Sequence, residues 1–265
     1  MTSARMNTLA NLRGQIERLE EGACGHAFGR VALGHVDADA ALSGGLARGA
    51  MHEVFAEGGR QGAAAAGFVA GLARRVSARR PLLWVRQDFT ATECGALSMS
   101  GLAELGCDPR QVVTVHAADA ETALRVAADG FACDALGSVV LEVWGEVRAL
   151  DLVASRKLTL AARSSGVTGL VLRLAATPSP STAETRWIVR AARSPPDEAW
   201  RVWGAPMLDV ELVRNRHGPT GQWLMEWKCD ECLFREPATY SQPVAATSAD
   251  RPYQARVVAP GRRAG

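Results

Sequence analysis

Apolar and polar residues follow two different periods along this chain. Short, almost wholly apolar runs predict buried strands at 51–55, 82–85, 112–115, 138–144 and 169–174. Between them, apolar residues recur every three or four positions, which predicts helices at 62–79, near 92–105, at 119–131 and at 148–164. Strands that alternate with helices of this length are typical of a mostly parallel sheet covered on both faces. The predicted fold class is therefore α/β.

The pattern changes after residue 176. Ten of the 12 prolines lie beyond this point, and proline ends helices and cannot donate to a sheet ladder. We expect turns and antiparallel strands here, added to one edge of the sheet, at 185–192, 208–214 and 221–227. Residues 237–265 carry four arginines against Asp250, a net charge of +3, and two tyrosines as their large apolar residues. We interpret this segment as a disordered tail, with a partner-docking or DNA-contacting segment as the alternative.

A narrow apolar stripe precedes the core. Within 7–21 the apolar residues are spaced by three, four and three positions, as on one side of a helix: Leu9, Leu12, Ile16 and Leu19. This helix either packs on its own domain or docks on a neighbouring subunit or partner, since the Gly-containing stretch 22–29 loosens it from the core. We therefore divide the chain into an N-terminal helix and linker (1–30), a core (31–236) and the tail (237–265).

Composition and charge fit an ordinary globular protein. The 265 residues are 48% hydrophobic and 22% charged, with a formal net charge of +2, and they are enough to bury a substantial core. This near-neutral charge favours no particular class of partner. The first 20 residues contain no apolar run typical of a secretory or transit segment. We expect a cytoplasmic protein that does not enter a membrane.

The six cysteines are scattered, as expected for reduced thiols. Cys229 and Cys232 form a single CxxC, but neither a second CxxC nor a pair of histidines accompanies it at the spacing of a zinc site. We interpret them as loop cysteines and expect no bound metal.

Candidate chemistry lies in the Gly-rich loop after the first strand. A strand, a Gly-rich loop and a helix in this order are the frame of a phosphate-binding loop, which requires GxxxxGK[ST]. Here the loop residues Gly58, Gly59, Arg60 and Gly62 are followed by four alanines. No lysine precedes Lys157, so a shifted register cannot supply one, and arginine does not replace the compact ammonium group. The loop is either a degenerate phosphate-binding loop or a plain strand–turn–helix corner. We expect no bound nucleotide or other cofactor and no catalytic residue.

The order of parts resembles the RecA core, and more closely the ImuA family of RecA-like bacterial mutagenesis proteins. The resemblance covers about residues 7–230. It rests on five blocks: SGGLARGAMHEVFAE (43–57), LLWVRQD (82–88), VVLEVWGEV (139–147), AETRWIVRAARS (183–194) and LDVELVRNRHGPTGQW (208–223). The last two are specific to that family, whereas the others are shared with RecA relatives in general.

Residue by residue, the resemblance to RecA implies a loss of catalytic parts. The acid that holds magnesium would correspond to Glu142, and the acid that primes water would fall at or near Asp88. Both carboxylates have an alternative interpretation, as solvated groups or as partners of a nearby arginine. The glutamine sensor expected after the fifth strand is replaced by Leu174-Ala175-Ala176.

The DNA-contacting loops of RecA also match poorly. Residues 145–148 lead almost directly into a predicted helix, and Ala175–Ala183 contains no lysine or arginine, although each phosphate contact needs a cation. We therefore expect weak or absent direct DNA binding. Arg214 and Arg216 resemble the basic pair with which RecA-like subunits reach the nucleotide of a neighbouring subunit. Ordinary charge on a strand end is the alternative.

The ImuA resemblance implies a non-catalytic accessory role in the SOS response, in damage-induced mutagenesis and translesion synthesis. The implied partners are an ImuB-type adaptor, a DnaE-type error-prone polymerase and, as a further candidate, RecA itself. The partner-binding residues would be Leu9, Leu12, Ile16, Leu19, Arg214 and Arg216. Two alternatives stay open: a DNA-dependent ATPase of the RecA/RadA class, and a SulA-like inhibitor of cell division.

Overall fold

A nine-stranded sheet forms the centre of the protein. The structure is a computed structural model that describes residues 28–77, 79–194 and 204–237. The N-terminal stripe and nearly all of the proposed tail lie outside these ranges. The sheet strands are β3 (Met51–Ala56), β4 (Leu82–Gln87), β5 (Val112–Ala117), β6 (Ser138–Trp144), β7 (Thr168–Leu174), β8 (Thr185–Ala191), β9 (Met207–Asn215), β10 (Gly221–Lys228) and β11 (Leu233–Arg235). Their order across the sheet is β11-β10-β9-β8-β3-β7-β6-β4-β5.

The sheet is parallel from β8 to β5 and antiparallel from β8 to β11. A separate pair of two-residue strands, β1 (Arg30–Val31) and β2 (Leu46–Ala47), precedes it. The helices are α1 (Val36–Ala41), α2 (Gly62–Ser77), α3 (Asp88–Cys94), α4 (Met99–Glu104), α5 (Ala120–Ala132) and α6 (Leu152–Ser165). The predicted α/β class is therefore confirmed, with a mostly parallel sheet and antiparallel strands at its C-terminal edge.

Two apolar layers fix the helices to the sheet. On one face, α2 buries Phe68, Val69 and Leu72 against alternate strand residues such as Trp84. On the other face, α5 and α6 cover the intervening residues, with Phe131 fully buried among them. The period of two along each strand sends neighbouring side chains into opposite layers. The long apolar runs in β6 and β7 are therefore the signature of a sheet with two covered faces.

Two predicted helices differ from those observed. The helix expected near 92–105 is two short helices, α3 and α4, because Gly95 ends the first with φ +82°, a backbone region that favours glycine. The helix expected at 148–164 begins only at Leu152, where Asp151 caps it by accepting a hydrogen bond from Ala154 N (2.8 Å). A connection at 145–151 therefore precedes it, longer than the sequence suggested.

The added strands also need a correction. The strand starting at Thr185 is parallel to β3 and extends the parallel part of the sheet, so the antiparallel addition begins one strand later, at β9. The sequence pattern did not predict β11, α1 or the β1–β2 pair. The strands among them have two or three residues and α1 has six, fewer than two helical turns, so neither period can show.

Candidate functional site

The Gly-rich loop after β3 passes directly into α2. Gly58 adopts φ +64°, a single 3₁₀ turn covers Gly59–Gln61, and α2 begins at Gly62. Gln61 turns back onto the protein, because its Oε1 accepts a hydrogen bond from Ala191 N at 2.7 Å. The loop is thus tied to the end of β8 by its own side chain.

Neighbouring residues fill the inner side of this loop. A Cβ added at Gly62 would lie 2.8 Å from Cys94 Sγ, and one added at Gly59 would lie 3.3 Å from the carbonyl oxygen of Glu93 and 3.6 Å from the Trp144 ring. These contacts place the end of α3 and the end of β6 directly against the two glycines. The inner side of the corner is therefore packed, and a side chain at Gly59 or Gly62 would press against neighbouring protein.

Glu142 lies under the same corner and is fully engaged inside the protein. Its Oε1 accepts from Arg86 Nη2 at 2.8 Å, and its Oε2 accepts from Arg86 Nε at 2.8 Å and from Trp84 Nε1 at 2.7 Å. Arg86 and Glu142 are directly opposite each other on β4 and β6, and their side chains are only 4% and 2% exposed. This two-pronged geometry matches the fork of arginine to the two carboxylate oxygens. Glu142 could hold a metal ion only if this buried pair opened.

The thiol of Cys94, beside this pair, is also held in its neutral form. Burial raises the pKa of Cys94, and the negative charge of Glu142 raises it further. Arg86 Nη2 also donates to Gly95 O at 3.1 Å, which fixes the turn after α3 to the ion pair. The corner therefore consists of a buried ion pair, a neutral thiol and an aromatic ring.

Asp88 lies apart from this pair, on the surface. It is the first residue of α3, its side chain is 58% exposed, and its Oδ1 is 3.7 Å from His116 Nδ1 at the end of β5. The structure therefore separates the two acids named from the sequence. Glu142 is buried in an arginine pair, whereas Asp88 is solvated.

The segment after β7 is bound to the sheet by a second set of polar contacts. Arg173 donates to Ser179 Oγ (2.9 Å) and to Glu146 (3.2 Å), and Thr177 N donates to Glu146 at 2.7 Å. The hydrogen bonds from Thr177 lower the pKa of Glu146, and Arg173 adds to this effect. The segment that corresponds in order to a DNA-contacting loop therefore lies against its own protein.

A second group of buried charged side chains lies next to these contacts, on β3 and β8. Arg186 Nε donates to Glu53 Oε2 at 2.9 Å, and Ser181 Oγ donates to the same oxygen at 2.7 Å. The guanidinium groups of Arg173 and Arg186 lie 5.2 and 5.7 Å from the centre of the buried Phe55 ring. These contacts connect three neighbouring strands, β7, β3 and β8.

The two arginines singled out for partner contacts differ in position. Arg214, on β9, donates from Nη1 to Ser181 O at 2.6 Å, so it holds the segment after β7. Arg216 follows β9 in an exposed turn, and its backbone N donates to Glu184 O at 3.0 Å. Of the pair, only Arg216 lies at an exposed position.

Cys229 and Cys232 lie in the turn between β10 and β11, where Cys232 has φ +52° and its thiol faces Cys229 O at 3.4 Å. Within 28–77, 79–194 and 204–237, no three His, Cys, Asp or Glu side chains are grouped so that they could hold a metal ion. Among the helices of those ranges, none is long and apolar enough to cross a membrane.

The residues that fill the corner could not be found from the sequence. Arg86, Cys94 and Trp144 belong to three different elements, and no spacing in the sequence shows that they meet. The one available signal was a charged residue inside each of two apolar strands, Arg86 and Glu142, because buried charges are normally paired.

Comparison with known proteins places this architecture in a family. The chain is 33% identical over 201 residues to Protein ImuA of Caulobacter vibrioides (strain NA1000 / CB15N), which covers 69% of this chain and 77% of that protein. It belongs to the ImuA family. The corresponding protein of C. vibrioides strain ATCC 19089 / CIP 103742 / CB 15 gives the same identity and coverage. A comparison with models of protein families found no match. The resemblance inferred from the sequence is thus confirmed, and the corner described above is that of an ImuA-family protein.

Proposed function

We propose that this ImuA-family protein is a non-catalytic accessory factor of damage-induced mutagenesis and translesion synthesis, and that it works by binding other proteins. Its partners in this proposal are an ImuB-type adaptor, a DnaE-type error-prone polymerase and RecA. Family membership supports the pathway. The buried Arg86–Glu142 pair supports the absence of catalysis, since the carboxylate at the magnesium position is committed to an arginine.

Three further observations favour binding over nucleotide hydrolysis. The loop at Gly58–Gly62 lacks the lysine and hydroxyl that hold a triphosphate and its magnesium ion. Cys94 and Trp144 occupy the inner side of that loop. The segment after β7, which would have to contact DNA in a RecA-type protein, is held by Arg173, Glu146 and Arg214. Together they favour a fold that serves as a scaffold for binding proteins and does not hydrolyse a nucleotide.

The proposal assigns partner contacts to the stripe of Leu9, Leu12, Ile16 and Leu19 and to the C-terminal third, where Arg216 is exposed. Biolayer interferometry with the purified full-length protein tests this assignment against the adaptor, the polymerase and RecA. We compare Leu12→Glu, Arg216→Glu and a chain that ends at residue 236. Val36→Glu is the matched control, because Val36 is a 78% exposed apolar residue outside the proposed contacts.

The proposal predicts that the protein binds the adaptor without nucleotide, with a nanomolar to micromolar dissociation constant. At least one of the three changes should raise this dissociation constant about tenfold or more, whereas Val36→Glu should not change it. Failure to bind any of the three partners would overturn the function. Equal binding by all variants would overturn the assigned surfaces. ATP hydrolysis stimulated by single-stranded DNA would instead support the ATPase alternative. Binding to the division GTPase FtsZ would support the cell-division inhibitor.

A further inference from the structure

The outer face of α6 is apolar and basic. Leu152, Val153 and Leu160 are 53%, 61% and 56% exposed, although the opposite side of the helix is buried against the sheet. The helix also carries three exposed cations, Arg156, Lys157 and Arg163, and no acid between Leu152 and Ser165. Exposed apolar residues on one helix, flanked by charges of one sign, indicate a surface that is covered in the working protein.

A groove runs beside this face, between α5 and α6. Its volume is about 380 Å³, and its walls include Leu124 and Ala128 from α5 and Val153 and Leu158 from α6. Arg125 and Lys157 line its two sides. Asp151 also lines the groove, at the start of α6. The groove therefore offers an apolar floor with two cations and one acid at its rim, which suits an amphipathic helix with acids opposite the cations.

The described chain begins beside the C-terminal end of α6. A Cβ added at Gly166, the residue that caps α6, would lie 2.6 Å from Phe28 Cε1. A Cβ at Gly49 would meet the same ring at 2.5 Å. Phe28 is thus fixed against the backbone at the end of α6, and 27 residues precede it in the sequence.

We propose that residues 7–21 form a helix that lies in the α5–α6 groove of the same chain. Its stripe of Leu9, Leu12, Ile16 and Leu19 would cover Val153 and Leu160. At about 1.5 Å per residue, such a helix is about 22 Å long, which matches the 14 residues of α6. The six linking residues 22–27 can span about 20 Å, so the groove is within reach of Phe28.

Charge supports the same occupant. The segment 7–21 carries Glu17, Glu20 and Glu21 against Arg13 and Arg18, a net charge of −1, with its acids gathered toward its C-terminal end. These acids complement Arg156, Lys157 and Arg163 on α6. The tail after residue 237 carries a net charge of +3 from four arginines against Asp250, so it would be repelled from this rim. This docking is proposed for the free protein and does not rest on the proposed function; a partner that binds the same stripe would have to displace it from the groove.

Amide hydrogen exchange of the full-length protein tests the docking. We compare wild type with Leu160→Glu, Leu12→Glu and the control Leu224→Glu, which changes a 45% exposed leucine at the far end of the sheet. Because Leu160 is itself exposed, its replacement leaves the core intact. The proposal predicts that Leu160→Glu speeds amide exchange within 7–21 by about tenfold or more, and that Leu224→Glu does not. Equal exchange of 7–21 in wild type and Leu160→Glu would overturn it.

Cross-linking identifies which chain supplies the helix. The protein has two lysines, Lys157 and Lys228, so Asn11→Lys adds a single new amine to the segment. An amine-reactive cross-linker should join Lys157 to the new amine but leave Lys228 unlinked to it, and Leu160→Glu should abolish the link. In a mixture of isotope-labelled and unlabelled protein, links within one isotope class support the proposal. Links between a labelled and an unlabelled chain would overturn it, because a second copy would then supply the helix. The absence of any link to Lys157 would also overturn it.

Discussion

Arg86 and Glu142 face each other across β4 and β6 and meet through two hydrogen bonds of 2.8 Å each. Both side chains are buried. The RecA resemblance drawn from the sequence implies that Glu142 corresponds to the acid that holds magnesium. The same carboxylate is thus a structural group, and its removal should have the consequences of a broken buried ion pair.

Glu142→Ala should lower the free energy of unfolding by about 3–5 kcal/mol, because it leaves the buried Arg86 charge without a partner. Asp88→Ala is the control, and it should cost less than about 1 kcal/mol because Asp88 is largely exposed. Urea denaturation measures both. Replacing the pair together, as Arg86→Met with Glu142→Leu, should recover most of the loss. A Glu142→Ala protein as stable as wild type would show that the ion pair is not structural.

The packing of Cys94 on the Gly-rich loop gives a second prediction. Gly62→Ala should destabilise the protein by about 1–3 kcal/mol, because the new Cβ would lie 2.8 Å from Cys94 Sγ. In a Cys94→Ala background the nearest remaining Cys94 atom would be the Cβ at 3.6 Å, an ordinary contact, so the same change should cost nothing. Thermal denaturation of the four proteins in the cycle measures this coupling.

Gly67→Ala is the matched control for that cycle. Gly67 lies in the same helix, and a Cβ there meets no other atom within 4 Å. It should stabilise the protein by up to about 1 kcal/mol, since alanine is the better helix former. If Gly62→Ala behaved like Gly67→Ala with Cys94 in place, the corner would be open rather than packed.

A third prediction concerns Cys107, whose pKa burial raises from 9.0 to about 11. Only the thiolate reacts with alkylating agents. At pH 8 the folded protein should therefore hold about a hundredfold less Cys107 thiolate than the unfolded chain, a difference that fades as the pH approaches 11. Mass spectrometry of iodoacetamide-treated native and urea-unfolded protein compares the rates. Cys133, which is exposed, is the internal control and should react at similar rates in both states.

The architecture could be predicted from the sequence because long apolar runs and helical periods carry it. All five α/β strands in the first 174 residues were predicted within two residues of their observed ends. The end of α3 and the direction of β8 were harder to predict. Gly95 stops α3 through its positive φ, a property that depends on the turn and not on apolar spacing. The parallel direction of β8 depends on where the segment 175–184 returns, and Arg173, Arg186 and Glu53 fix that return through contacts between distant residues.

Only part of the candidate site could be predicted from the sequence. The sequence shows directly that alanines, Ala63 and Ala64, stand where the lysine and the hydroxyl are required. It does not show which side chains fill the corner, because Cys94 and Trp144 reach Gly59 and Gly62 only through the fold. For Glu142, both a solvated and an arginine-paired carboxylate were open alternatives, and the buried pair with Arg86 decides between them.

We propose that the corner formed by Gly58–Gly62, Cys94 and the Arg86–Glu142 pair is a packed structural element that does not hold a magnesium-bound triphosphate. Calorimetric titration of magnesium–ATP into the full-length protein, with and without single-stranded DNA, tests this claim most directly. A packed corner predicts no saturable heat of binding in either titration. A saturable binding isotherm that requires magnesium and is lost in the Gly59→Trp variant would contradict the packed corner.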